Sequence, residues 1–153
     1  MRFPAGQNHL RYPRLPERGG GQAGGRFVKR FISLWGPVIL FAGLVFAVSS
    51  MSSPIDVDPF PFFDKIAHIT EYTLFAMLLF RALQGTWMGM SFFWLAFITV
   101  MITLTYGASD EFHQSFVEAR TSDIKDLAAD GIGAIMAMTA VFIKRRVFRR
   151  APD

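Results

Sequence analysis

Four long apolar stretches alternate with short polar segments along the chain. They cover about residues 31–50, 66–83, 90–106 and 124–143, so each holds 17–20 residues. A helix needs roughly 20 mainly apolar residues to cross the hydrocarbon core of a bilayer. The pattern therefore predicts an all-α integral membrane protein, built as a bundle of four transmembrane helices.

The composition supports a membrane protein and excludes several kinds of chemistry. The chain has 153 residues, of which 52% are hydrophobic and 17 are Phe, more apolar surface than a soluble domain of this length could easily bury. It contains no Cys, which excludes disulfide scaffolds, thiol catalysis and Cys-ligated zinc. Phosphate-loop, dinucleotide-binding and nucleic-acid-binding signatures are absent, so we expect no nucleic-acid partner.

The charged residues predict the domain boundaries and the orientation. Residues 1–30 form a basic Gly- and Pro-containing tail predicted to be disordered, residues 31–143 form the transmembrane domain, and residues 144–153 form a second basic tail. Thirteen of the 16 Lys and Arg residues lie before the first stretch, at Arg81 or after the last stretch. Positive charge favours the cytoplasmic side, so both termini should be cytoplasmic. The net charge of +4 then reflects topology and contact with anionic lipid.

An alternative is that the first apolar stretch is a cleaved signal peptide. Ala47, Val48 and Ser49 supply small residues at a spacing that fits a cleavage site. The basic segment before the stretch is about 30 residues long, which is long for a signal peptide. A retained first transmembrane helix is therefore the favoured interpretation.

Three of the four stretches begin or end with polar residues on one helical face, at spacings of three, four or seven. These faces contain Asp64, His68 and Glu71; Tyr106, Asp110 and His113; and Asp123, Asp126 and Asp130. The predicted topology brings all three faces to the outer side of the membrane. Glu71 and Asp130 each lie about 10 Å along their helices, within the outer leaflet. Because a carboxylate at the bilayer centre costs about 2.5–3.5 kcal/mol, both should face the bundle interior, toward each other or toward His68, His113 and Arg120.

The sequence leaves the chemistry of this polar region open. His68 with Glu71, and Asp110 with His113, are pairs that could bind a divalent metal such as Zn, Mn or Fe. A desolvated carboxylate could instead donate a proton, with His113 as the base. The residues could also line an ion path, or satisfy one another in a purely structural network.

Small residues recur every four positions in the last stretch. Ala129, Gly133 and Ala137 form this row, which predicts close packing of the last helix against a neighbour. The row lies beside Asp126 and Asp130. Close packing there would hold those two acids against another helix.

Two motifs resemble those of the VanZ-like family of small bacterial membrane proteins. They are D-K-x-x-H-x-x-E-Y at residues 64–72 and S-D-E-x-H-Q at residues 109–114, and the family also has a later arginine, matched by Arg120. Asp126, Asp130 and Gly133 match its fourth span, and the resemblance covers residues 31–143. The chain departs from the family pattern with Glu118-Ala119 before the arginine and with Asp130 where Asn is common.

The resemblance implies a multi-pass protein of the bacterial cytoplasmic membrane. The founding member of the family is linked to low-level resistance to teicoplanin, and no reaction is assigned to the family. We hypothesise action on a lipid or lipid-linked envelope precursor, and the alternative is a non-catalytic protein that binds an envelope lipid or a partner. The candidate catalytic residues are Glu71, Asp110 and His113, and the candidate substrate-binding residues are Gln114, Arg120, Asp126 and Asp130. Whether the protein is an enzyme, which metal or other cofactor it binds and its oligomeric state stay open.

Overall fold

The structure is a computed structural model that describes residues 20–51, 62–117 and 123–148. These residues form four helices and no strand: α1 (Gly20–Ser49), α2 (Phe63–Thr86), α3 (Phe92–Gln114) and α4 (Ile124–Phe148). All four are long and apolar enough to span a membrane. The predicted all-α bundle of four transmembrane helices is therefore confirmed.

Helix α1 begins earlier than the apolar pattern predicts. It begins at Gly20 rather than near Phe31, so the last part of the segment predicted to be disordered is helical. Near the limit that the apolar pattern predicts, α1 contacts the end of α2. The Arg30 guanidinium donates a 2.6 Å hydrogen bond to the carbonyl oxygen of Gly85. The first part of the predicted tail, residues 1–19, lies outside the described residues.

Helices α3 and α4 also continue past the predicted apolar limits. Helix α3 ends at Gln114 rather than at Tyr106. Its last two turns are polar, but Asp110, Glu111 and Gln114 are buried against protein there, so these turns do not need an apolar sequence. Helix α4 ends at Phe148, within the predicted basic tail. There the Arg145 guanidinium carbon lies 5.1 Å from the centre of the Phe92 ring, and this contact with α3 supports the last turns.

The helices run up and down, so that neighbours in the chain are antiparallel. The Phe80 ring near the end of α2 lies 5.6 Å from the Phe92 ring at the start of α3. We call this the basic end of the bundle. At the opposite end, which we call the polar end, α1 and α3 finish, and α2 and α4 begin. Helices α2 and α4 are parallel and make the most extensive helix–helix contact in the described structure.

The contact between α2 and α4 depends on small side chains. A Cβ atom added to Gly133 would lie 2.5 Å from the carbonyl oxygen of Ile69, which shows that the two backbones almost touch. The Thr73 hydroxyl donates a 3.1 Å hydrogen bond to the carbonyl oxygen of Gly133. Ala129 and Ala137 are buried on the same face. The predicted row of small residues therefore packs closely as expected.

Candidate functional site

A histidine on α2 and an aspartate on α4 meet in the interior of the polar end. Asp130 is fully buried, and its Oδ1 atom lies 2.9 Å from Nδ1 of His68. The His68 ring also stacks on Tyr72, with ring centres 6.2 Å apart and planes 5° apart. When Asp130 is ionised it accepts a hydrogen bond from Nδ1, which leaves Nε2, 3.9 Å from Oδ1 of Asp126, as the atom that can act as a base or a ligand.

A glycine on α3 provides the space for this carboxylate. A Cβ atom added to Gly107 would lie 2.5 Å from Oδ2 of Asp130 and 3.3 Å from Cε1 of Tyr72. Among the described residues, neither that Oδ2 atom nor the Tyr72 hydroxyl has a hydrogen-bond partner, and both are buried. Burying such groups is costly, and an unsatisfied buried polar group in a folded protein is an indicator of a functional site.

Lys65 lies at the rim of the same region, one turn before His68 on α2. Its ammonium group lies 2.8 Å from a carboxylate oxygen of Asp64 and 3.5 Å from one of Asp123, and it donates a hydrogen bond to Asp126. The backbone N–H of Lys125 also donates to Asp123 over 2.9 Å, and this bond together with the Lys65 charge lowers the pKa of Asp123. The start of α4 is thus fastened to α2 through one cation.

Helix α3 contributes an acid that the sequence pattern missed. Glu111 is buried, and its Oε2 atom accepts a 3.0 Å hydrogen bond from the backbone N–H of Asp123. Glu111, His68 and Asp126 each place one donor atom within 4.8 Å of the others. Three helices therefore meet here. We call the set the polar cluster, and it comprises Lys65, His68, Glu111, Asp123, Asp126 and Asp130.

One imidazole and two carboxylates are donors that suit Zn, Mn or Fe. Asp130 behind His68 also matches the carboxylate that commonly orients a metal-binding histidine. However, the Lys65 ammonium already binds Asp126, so a metal at His68, Glu111 and Asp126 would have to displace it. Among the described residues, His68, Glu111 and Asp126 form the group whose donor atoms lie close enough together to share one metal ion.

The predicted metal ligands do not converge in the described structure. Of the set His68, Glu71, Asp110 and His113, only His68 belongs to the convergent group. His113 instead places Nε2 3.0 Å from the hydroxyl of Ser50, which directly follows α1. The geometry thus favours His68, Glu111 and Asp126 as a ligand group, and the set taken from the sequence stays a prediction. His113 meets the end of α1, whereas Glu111, two residues earlier, meets the start of α4.

Asp110 and Gln114 also face α1 rather than the polar cluster. The side-chain amide of Gln114 donates 3.0 Å hydrogen bonds to Asp110 and to the hydroxyl of Ser49. Both residues are buried. Adjacent helical positions are about 100° apart around the axis, which is why Asp110 turns toward α1 while Glu111 turns toward α4. The sequence pattern missed Ser49, the last residue of α1, and Ser50, which follows it, since nothing in their spacing marks them.

The other predicted site residues have separate positions. Asp126 and Asp130 are both buried in the polar cluster, where the sequence pattern predicts that they face the bundle interior. Glu71 is half-buried on α2, one turn after His68. Arg120, the predicted ligand for an anionic group, lies outside the described residues.

A signal for Glu111 was present in the sequence. Thr99, Thr103, Gly107 and Glu111 recur every four residues and form a buried row of small or polar side chains along α3. Such a row in an apolar stretch indicates the face of a helix that packs against protein. This row places Glu111 on a packed face of α3, although it does not show which helix that face meets.

The fold and the polar cluster define a small multi-pass helical membrane protein with ionisable groups buried at one end of its bundle. The family model described as VanZ/LLP1 matches residues 23–145, and the chain belongs to that family. The match confirms the resemblance seen in the sequence motifs. It begins before residue 31 and ends after residue 143, in keeping with the longer α1 and α4. No curated protein and no solved structure matches the chain.

Proposed function

We propose that this protein is a membrane-embedded enzyme of the bacterial cell envelope that acts on a lipid or lipid-linked precursor. The observation that carries the proposal is the hydrogen bond from His68 to the fully buried carboxylate of Asp130. Removing one member of a buried, hydrogen-bonded pair of this kind is costly, because the other member stays buried without a partner. Ionisable groups within transmembrane helices are functional candidates for that reason.

The geometry supports His68 as the group that transfers a proton. Asp130 fixes the imidazole so that Nε2 can accept a proton from water or a substrate hydroxyl and return it to a leaving group. The predicted cytoplasmic termini would place the polar end in the outer leaflet, at the depth of lipid head groups. Sequence motifs favoured His113 as the base, but its contact with Ser50 turns it toward α1, so we assign the role to His68.

Glu71, Asp110 and Arg120 remain candidates for supporting roles. Asp110 and the amide of Gln114 lie at the polar end, where they could contact a bound substrate from the α1 side. Arg120 would hold a phosphate or another anionic group of the precursor, as the sequence motif predicts. A role in resistance to teicoplanin or another glycopeptide would follow if the altered precursor is the drug target.

The second candidate function is binding of an envelope lipid or a partner without catalysis. The contacts of Lys65 with Asp64, Asp123 and Asp126 favour it. A cation surrounded by carboxylates from two helices is the arrangement expected of a structural lock. This alternative predicts that the protein retains an envelope lipid through purification without converting it.

The test is functional complementation by single variants in a deletion strain. We expect His68→Gln and Asp130→Asn to reduce precursor conversion, measured by lipid mass spectrometry, by about 10²-fold or more, the typical contribution of acid–base catalysis. Thr70→Val is the matched control, because Thr70 is exposed on the same helix and, in the described structure, its hydroxyl donates to the Ile66 carbonyl of that helix. Glycopeptide susceptibility of the same strains tests the resistance role.

The complementation test separates the competing assignments. If His68→Gln inserts normally and restores full conversion, proton transfer by His68 is wrong. Loss of conversion in His113→Gln alone would return the catalytic role to the face of α3 that meets α1. Retention of an unchanged lipid by the wild-type protein, with no conversion in any strain, would support the binding function.

A further inference from the structure

A long apolar groove lies between α3 and α4, on the outside of the bundle and toward the basic end. It has a volume of about 380 Å³. Its lining includes Phe93, Phe97 and Val100 of α3 and Ile135, Met138 and Phe142 of α4. The lining residues of α3 span roughly 12 Å along the helix axis. This is a length over which a lipid acyl chain could lie.

The groove continues into a second cavity that ends in two arginines. This cavity has a volume of about 330 Å³ and shares Phe92, Phe93 and Phe142 with the groove, while Arg145 and Arg146 complete its lining. The apolar surface thus leads directly to two guanidinium groups at the end of α4.

Aromatic rings hold both guanidinium groups in place. The Arg145 carbon lies 5.5 Å from the centre of the Phe80 ring and 5.1 Å from that of Phe92, and the Arg146 carbon lies 5.1 Å from that of Phe142. Contacts of this length are cation–π interactions. Among the described residues, no carboxylate forms an ion pair with either arginine. Their N–H groups are therefore held in place without a carboxylate partner from this part of the chain.

We propose that this groove is a binding site for an anionic phospholipid. The phosphate binds Arg145 and Arg146, and one acyl chain lies along the groove between α3 and α4. Guanidinium groups match phosphate oxygens in geometry and charge, and the basic end is the end where the positive-inside rule places the anionic cytoplasmic leaflet. Basic residues that only set the orientation of the protein in the membrane need a positive charge. They do not need to lie over aromatic rings at the mouth of a groove.

The proposal is independent of the catalytic one, because the groove and the polar cluster lie toward opposite ends of the bundle. Lys144 provides a matched control on the same helix. It is an exposed neighbour of the two arginines and does not line either cavity. Removing its charge changes the overall charge as much as removing one arginine does.

The experiment measures lipid binding to the full-length protein in detergent by native mass spectrometry, with phosphatidylglycerol and phosphatidylcholine as the probes. We expect the wild type to bind phosphatidylglycerol and the double variant Arg145→Gln/Arg146→Gln to bind it about tenfold more weakly, since a charged hydrogen bond typically contributes that much. Lys144→Gln should stay within twofold of the wild type. Ala96 of α3 also lines the groove, so Ala96→Phe, which fills the groove and keeps both arginines, should weaken binding as well.

Several outcomes would overturn the site. Equal binding by the double variant, an equal loss in Lys144→Gln, or equal binding of phosphatidylcholine would each do so. A lipid-free dimer that is lost in Ala96→Phe would mean that a second copy of the chain covers the groove instead. If the double variant inserts poorly, Arg146→Gln alone decides the question, because Arg146 is exposed and its replacement should still weaken phosphatidylglycerol binding.

Discussion

Replacing Gly133 by Ala should separate α2 from α4 and disable the polar cluster. The added Cβ would lie 2.5 Å from the carbonyl oxygen of Ile69 and 3.0 Å from the backbone nitrogen of Thr73, whereas ordinary contact begins at 3.4 Å. Both obstructing atoms belong to a helix backbone, so no side-chain rotation can relieve the clash. The helices must move apart by about 0.9 Å to restore van der Waals contact.

This displacement is large compared with the hydrogen bonds it would stretch. His68 and Asp130 lie within one turn of the clash on each helix, and their 2.9 Å bond would lengthen beyond the range of a good hydrogen bond, which ends near 3.2 Å. Overpacking typically costs about 1–3 kcal/mol, and the higher helix propensity of Ala offsets up to about 1 kcal/mol of it. We therefore expect a net destabilisation of about 1–2 kcal/mol.

The measurement is thermal unfolding of the detergent-solubilised protein, followed by tryptophan fluorescence, together with the complementation assay. Gly133→Ala should lower the Tm by about 3–8 °C and reduce precursor conversion. Gly43→Ala is the control, because a Cβ at Gly43 of α1 would meet nothing within 4 Å while the gain in helix propensity is the same. A Gly133→Ala protein that unfolds at or above the wild-type Tm would refute the close approach of the two backbones.

Two further substitutions test individual contacts in the polar cluster. Gly107→Ala should expel the Asp130 carboxylate, since the new Cβ would lie 2.5 Å from its Oδ2 atom. It should destabilise the protein by about 1–3 kcal/mol. Adding Asp130→Ala should recover part of the lost Tm but no conversion, and additive effects on Tm would contradict the contact. Lys65→Met should increase the affinity for Zn²⁺ about tenfold by releasing Asp126; unchanged affinity in isothermal titration calorimetry would argue against a metal at that group.

The sequence predicted the bundle because the membrane imposes a length and a polarity on each span. Four apolar stretches of the right length leave few alternatives for the fold. The helix ends were less predictable. Arg30 bonds to Gly85 across 55 residues, and hydropathy carries no information about such a distant contact. The last turns of α4 are stabilised by another distant contact, between Arg145 and Phe92.

Only part of the polar cluster could be predicted, again because contacts between helices decide the rest. The spacing of residues within α2 and α4 placed His68 and Asp130 on inward faces, and the structure joins them. The spacing within α3 could not show which neighbour each face meets. Asp110 and Glu111 are adjacent in the sequence but turn toward different helices, and only the tertiary arrangement decides which acid lies beside His68.

The pairing of α2 with α4 has a consequence for how the protein is made. Helices α1 and α2 leave the ribosome as one hairpin, and α3 and α4 follow as a second. Until the second hairpin inserts and docks, Lys65 and His68 lack the acids of α4 to which they bind in the finished bundle. A chain that stops after α3 would therefore leave two basic groups in the membrane without those acids, an arrangement that lipid opposes. The site is completed only when α4 has been inserted, so a functional polar end is evidence that α4 has docked against α2.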